Sequence, residues 1–89
     1  MLSHEINVSA VPIQLLQAMR WLLRDPDLDA SASTRLEDLT GWDSMTHISL
    51  MVETECRFDV QFDVAEIESV RTVGDIVDLL RSKAGIQAL

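Results

Sequence analysis

The chain has 89 residues, enough for one domain around a single small core and too few for two. Its residues are 47% hydrophobic, so a folded core is expected rather than disorder. With 15 acidic residues against 7 basic, the net charge of −8 opposes nucleic acid and anionic membrane surfaces as partners and favours basic protein surfaces. No apolar run approaches the roughly 20 residues needed to span a bilayer. Met1-Leu2-Ser3-His4-Glu5 lacks the basic and apolar blocks of a signal peptide, and a lone Cys56 allows no internal disulfide. A cytoplasmic protein is therefore expected.

Residues 1–7 are expected to fray, as are residues 84–89, leaving one domain with its core over about 8–83. Pro12 suits the first turn of a helix, with Ser9 as a cap before it. From there Val11, Leu15, Ala18, Met19 and Leu22 share one helical face, while Gln14, Gln17, Arg20 and Arg24 take the other. The helix should stop before Asp25-Pro26, since proline disfavours helix in the residue preceding it. Residues 25–43 form a long polar connection pinned by Leu28, Leu36 and Leu39, and a loop of that length in so small a domain is usually functional. Within it, Asp25-x-Asp27-x-Asp29 matches the first ligands of a calcium loop. Ala30 and Leu36 stand where that loop needs glycine and glutamate, so the stretch reads as a solvated acidic turn with no metal.

Gly41-Trp42-Asp43-Ser44-Met45-Thr46-His47 ends the connection and opens the most apolar helix. Asp43 is a good N-cap, which puts Ser44 at the first helical position, at the positive end of the helix dipole. That end favours a phosphate attached there. The helix should run from Ser44 to about Arg57 with two apolar stripes. Leu50, Met51 and Phe58 form one, with His47 and Thr54 among them; Met45, Ile48, Val52 and Cys56 form the other. Three further helices cannot enclose both. Met45, Ile48 and Val52 are therefore expected to stay partly exposed as the apolar centre of a partner-binding face, with Glu53 and Glu55 nearby.

Val60, Phe62 and Val64 alternate as in a strand, but the run is short and solitary and reads as a loop anchored by Phe62. Asp63 and Glu66 have the spacing of a capping box opening a short third helix through Ile67. Thr72 and Asp75 repeat it for a fourth, with Val73, Ile76, Val77 and Leu80 as its buried stripe and Gly85 as its stop. The fold class expected is all-α: a small bundle of three main helices and one short one.

Asp43-Ser44-Met45 and the approach to it, Thr34-Arg35-Leu36-Glu37-Asp38-Leu39 running into Gly41-Trp42, resemble the acyl (or peptidyl) carrier protein family over about Val8 to Lys83. That family carries a phosphopantetheine arm on the serine of an Asp-Ser-Leu motif. The resemblance implies that Ser44 receives 4'-phosphopantetheine from coenzyme A through a separate phosphopantetheinyl transferase. The arm's thiol then holds acyl or aminoacyl thioesters, and the chain itself is a monomer that catalyses nothing. It also implies an acidic docking face for acyl-loading and acyl-transfer enzymes with basic surfaces. A cleft lined by His47, Thr54, Ile67 and Val70 would shelter the acyl chain. Primary fatty-acid carriers usually have acidic residues at the positions matching Thr46 and Ser49, which are neutral here. The chain is thus more similar to stand-alone carriers of specialised pathways, such as secondary-metabolite or surface-polysaccharide clusters. Because His47 and Thr54 make that cleft a poor solvent for alkyl chains, a short or polar cargo held outside the bundle is expected.

Competing readings of the same residues are weaker. A hydrolase serine lacks Gly-x-Ser-x-Gly and an α/β scaffold. A Ser44–His47 catalytic pair lacks an acidic residue to orient the imidazole. Cys56 reads as a small hydrophobe, Trp42 as loop packing and Trp21 as partly exposed. The rival function is a small acidic helical interaction module without a prosthetic group.

Overall fold

A computed structural model describes residues 11–84 of the chain. Among the described residues four α-helices follow one another: α1 (Ile13–Leu23), α2 (Ser44–Phe58), α3 (Val64–Ser69) and α4 (Val73–Ala84), with a 3-10 turn at Leu36–Asp38 between α1 and α2. Among the described residues there is no strand, so the fold is all-α, a small bundle with one short helix. The expected cap Ser9, the stop Gly85, the tail 1–7 and all of the tail 84–89 but its first residue lie outside the described residues, and that residue, Ala84, ends α4.

Each helix starts and stops where local chemistry demands. Pro12 occupies the cap position of α1, one residue earlier than its expected place inside the first turn. At the other end Arg24 adopts a left-handed conformation (φ 55°), and the N–H of Asp25 returns to the carbonyl of Arg20 at 2.9 Å. That reversal satisfies a carbonyl the helix leaves orphaned, and Pro26 prevents continuation. α2 ends in the same way one residue beyond the expected Arg57, with Asp59 left-handed (φ 56°) and Val60 N–H on Glu55 O at 3.1 Å. α3 opens with the expected capping box: Asp63 Oδ1 accepts from Glu66 N–H at 2.8 Å, and Glu66 Oε1 accepts from Asp63 N–H at 2.9 Å. It continues through Ser69, two residues past the expected Ile67. At the start of α4, Thr72 Oγ1 accepts from Asp75 N–H and Asp75 Oδ2 accepts from Thr72 N–H, at 3.1 and 3.0 Å.

The core is built from Leu15, Ala18 and Met19 of α1, Leu50 and Met51 of α2, and Val73, Ile76 and Leu80 of α4, all essentially inaccessible. Leu28 and Leu36 from the long connection, together with Phe62 and Val70, close its ends. Leu16, outside the expected stripe of α1, is buried as well, so that helix presents a wider apolar face than its period suggests. Trp21 on its outer side is 65% exposed. The run Val60–Val64 is a loop up to the start of α3, anchored by a buried Phe62.

The connection before α2 is clamped to the start of α4. Arg35 and Thr72 form an isolated antiparallel bridge, in which Leu36 N–H donates to Arg71 O and Val73 N–H to Thr34 O, both at 3.0 Å. Gly74 N–H adds a bond to Ala32 O at 2.8 Å, and a Cβ on Gly74 would stand 2.7 Å from that oxygen. Glycine is required there because the two backbones approach so closely.

Candidate functional site

α2 begins with an exposed serine. Asp43, in extended conformation, turns its carboxylate onto the first turn of the helix: Oδ1 accepts from Thr46 N–H at 2.8 Å and from Thr46 Oγ1 at 2.9 Å. Those bonds, the backbone one first, hold the Asp43 carboxyl below its ordinary range and keep it ionised. Ser44 follows as the first helical residue, with its side chain in solvent. Gly41 in the preceding turn has φ 85°, a conformation that favours glycine and lets the chain swing into the cap.

An open depression lies beside Ser44, between the start of α2 and α3. It is lined by Leu36 and Glu37 of the 3-10 turn, by Trp42, Asp43, Ser44, His47 and Ile48 around the start of α2, and by Ile67, Glu68, Val70 and Arg71 opposite. Leu36 and Val70, each 1% exposed, form its apolar floor. His47 is half-buried in its wall, with Nε2 2.8 Å from the carbonyl oxygen of Ile67. A carbonyl only accepts, so Nε2 carries the hydrogen. The Trp42 ring meets the imidazole edge-on, with centroids 5.9 Å apart and planes at 83°.

The structure thus brings His47, Ile67 and Val70 together beside Ser44, but not Thr54. Thr54 lies fully buried two turns along α2, away from the depression, and its hydroxyl donates to Leu50 O within its own helix at 2.7 Å. Among the described residues no buried side-chain N or O lacks a partner. On the outer side of α2, Met45, Ile48 and Val52 are 72, 48 and 49% exposed, and Cys56 is exposed as a free thiol. The two glutamates expected near them also have local partners. Glu53 pairs with Arg57 one turn on at 2.8 Å, and Glu55 Oε2 accepts from Phe62 N–H at 2.7 Å, tying α2 to the loop before α3. Besides Asp43 and His47, the depression is lined by the charged side chains of Glu37 from the 3-10 turn and of Glu68 and Arg71, and the last two come from a segment remote in sequence from Ser44.

The acidic turn holds itself in place. Asp25 Oδ1 accepts from Asp27 N–H at 3.2 Å and Asp29 Oδ1 from Ala30 N–H at 3.0 Å. Among the described residues no cluster of three or more His, Cys, Asp or Glu side chains is placed to hold a metal, and no helix is long and apolar enough to cross a membrane.

Comparison with known proteins agrees with this geometry. The profile of the phosphopantetheine attachment site family matches residues 14–80, from the first turn of α1 to the last buried leucine of α4. The acyl carrier protein of Thermotoga maritima is 39% identical over 51 residues, which are 57% of this chain; the match spans 63% of that relative's length. The solution structure of the holo acyl carrier protein from Geobacter metallireducens superposes with a TM-score of 0.72 at 26% identity, covering 83% of this chain and 88% of that one. A Mycobacterium tuberculosis chain described as an acyl carrier protein superposes with a TM-score of 0.66 at 28% identity, covering 72% and 85% respectively. Domains of this kind carry a group and are not catalytic. The chain belongs to the phosphopantetheine attachment site family.

Proposed function

We propose that Ser44 carries a 4'-phosphopantetheine arm and that the chain shuttles acyl or aminoacyl thioesters between enzymes. The observation that carries this reading is the exposed hydroxyl of Ser44 at the first position of a capped helix, inside the segment matched by the family profile. In the attachment step the Ser44 oxygen attacks the phosphorus of coenzyme A nearer the pantetheine. The pyrophosphate bond breaks, adenosine 3',5'-bisphosphate departs, and a phosphodiester remains on Ser44. Its negative charge lies at the positive end of α2, where orphaned N–H groups and the helix dipole stabilise it. A separate phosphopantetheinyl transferase removes the proton from the hydroxyl.

The outer stripe of α2 supports a docking role. Met45, Ile48 and Val52 offer three exposed apolar side chains beginning one residue from the attachment point. A shuttle must meet several enzymes quickly and leave each one. A small apolar patch in a field of −8 suits that task, because steering by charge speeds encounter without a large interface. The partners are the transferase and acyl-loading and acyl-transfer enzymes with basic surfaces, met by a cytoplasmic monomer.

Intact mass after incubation with a phosphopantetheinyl transferase and coenzyme A tests the attachment. The wild type is expected to gain one arm, and Ser44→Ala none, with its fold unchanged because Asp43 still caps α2 and alanine favours helix. An arm on the alanine variant, or a wild type refractory to every transferase tried, would overturn the reading. The second of these results would favour an interaction module without a prosthetic group.

A further inference from the structure

α3 is a weakly held wall. It has six residues and none of them is buried; Val64 is 70% exposed. A helix so short has little stability of its own, so its position depends on tethers. Glu66 ties it to Lys83 of α4 at 2.8 Å, and the capping box fixes its first turn. On the side facing Ser44 the tether is the bond from His47 Nε2 to Ile67 O, with the imidazole held edge-on by Trp42. Behind His47, one turn further along the same face of α2, stand the buried Leu50 and Met51.

We propose that His47 is the specificity-determining residue of this carrier: its bond to Ile67 O keeps the seam between α2 and α3 shut to alkyl chains, so the thioester cargo is short or polar and stays in the open depression. This rests on the reading of Ser44 as the attachment point. An alkyl chain leading inward from Ser44 toward Met51 must displace the imidazole. That breaks the 2.8 Å bond and the Trp42 contact, and leaves the Ile67 carbonyl, beside hydrocarbon, with only the long 3.4 Å bond from Val70 N–H. A polar cargo faces no such loss, because Glu37, Glu68 and Arg71 line the depression and can pair with it. Thr54 plays no part in the exclusion, since its hydroxyl is satisfied within α2.

The test begins with unmodified protein and 1-octanol as the probe, following the amide shifts of Leu50, Met51 and Val70 in the wild type, His47→Ala and His47→Gln. The wild type is expected to stay unresponsive, His47→Ala to shift saturably, and His47→Gln, whose amide can renew the bond, to behave as the wild type. A wild type that responds as strongly as His47→Ala overturns the proposal, and so does an alanine variant as unresponsive as the wild type. His47→Val, which lacks a donor but fills part of the space, replaces the alanine variant if that one does not fold. The second measurement compares butyryl and dodecanoyl thioesters on the arm. Wild-type melting temperature and Met51 shift should be the same for both chains, whereas in His47→Ala the dodecanoyl form alone should melt higher. Equal protection by the long chain in both proteins overturns the gate. A chain whose intact mass shows no arm refutes the attachment reading instead, while the octanol titration still decides the role of His47.

Discussion

Ile48 and Leu50 are two positions apart on α2 and face opposite ways, so truncating each to alanine separates docking from folding. Leu50 is 1% exposed within the core. Removing a fully buried leucine side chain costs about 2–5 kcal/mol, because transfer and cavity contributions add. At about 4–8 °C per kcal/mol for a domain of this size, Leu50→Ala should lower the melting temperature by on the order of 10–30 °C. Ile48 is 48% exposed. Full burial of such a side chain is worth about 1.5–3 kcal/mol, and roughly half of its surface is already covered. The folded state therefore loses about 1 kcal/mol, partly offset because alanine is the better helix former by up to ~0.7 kcal/mol. Its melting temperature should stay within a few degrees of the wild type. The uncovered half is what a partner would bury, so losing it should slow modification several-fold, at about 1.4 kcal/mol per tenfold. Circular-dichroism melts and the transferase kcat/KM measure the two quantities on the same samples. An Ile48→Ala variant that melts as low as Leu50→Ala, or is modified at the wild-type rate, would show that the outer stripe is not a docking face.

Acid should destabilise the fold through three carboxylates whose native pKa values are lowered. Asp43 is lowered first by Thr46 N–H, Glu66 by Lys83 and Asp75 by Arg71 N–H. For each, the stabilisation is complete above the unfolded value, 3.8 for Asp and 4.5 for Glu, and is lost as pH falls through the lower native value. Lys83 is raised from 10.5 by Glu66, so its share is complete below 10.5 and is lost as pH rises through the raised value. A melting temperature level at neutral pH and falling below about pH 4.5 is expected, and one unchanged down to about pH 3 would contradict these assignments. Gly74→Ala tests the clamp between the long connection and α4. Alanine gains about 1 kcal/mol in helix propensity, but its Cβ would sit 2.7 Å from Ala32 O, an overpacking that costs about 1–3 kcal/mol. A lower urea midpoint is expected; a higher one would mean that the connection yields freely.

The parts of this fold that can be read in the sequence are those whose cause spans a few residues. The Asp63/Glu66 and Thr72/Asp75 spacings announce helix starts because both partners of each reciprocal bond lie within one turn. The two stripes of α2 separate because its period alone puts Ile48 and Leu50 far apart around the helix. Leu16 escapes the same logic: it lies outside the narrow stripe and is buried only because the bundle covers a broad face of α1. Glu55 has a role that its place on the helix does not announce. Seven residues on, its carboxylate meets the Phe62 N–H, left free by a loop that forms no ladder, and a contact at that separation has no local sequence signal.

The same distinction runs through the site. Ser44 and its cap are contiguous in sequence, whereas the depression beside them is assembled by backbone pairing that leaves no side-chain signature. The Leu36 N–H to Arg71 O bond and its Val73 N–H to Thr34 O counterpart fix the 3-10 turn against the start of α4. Only in that register do Leu36 and Val70 meet as a floor, and only then do Glu37 and Arg71 stand on the same depression as Ser44. The length of the connection follows from this. The chain leaves α1 at Leu23, must reach the start of α4 to form the bridge, and must then return to present Asp43 and Ser44 at the start of α2. A shorter connection would still let α2 pack on α1, but it would leave Ser44 without the depression that the bridge assembles beside it.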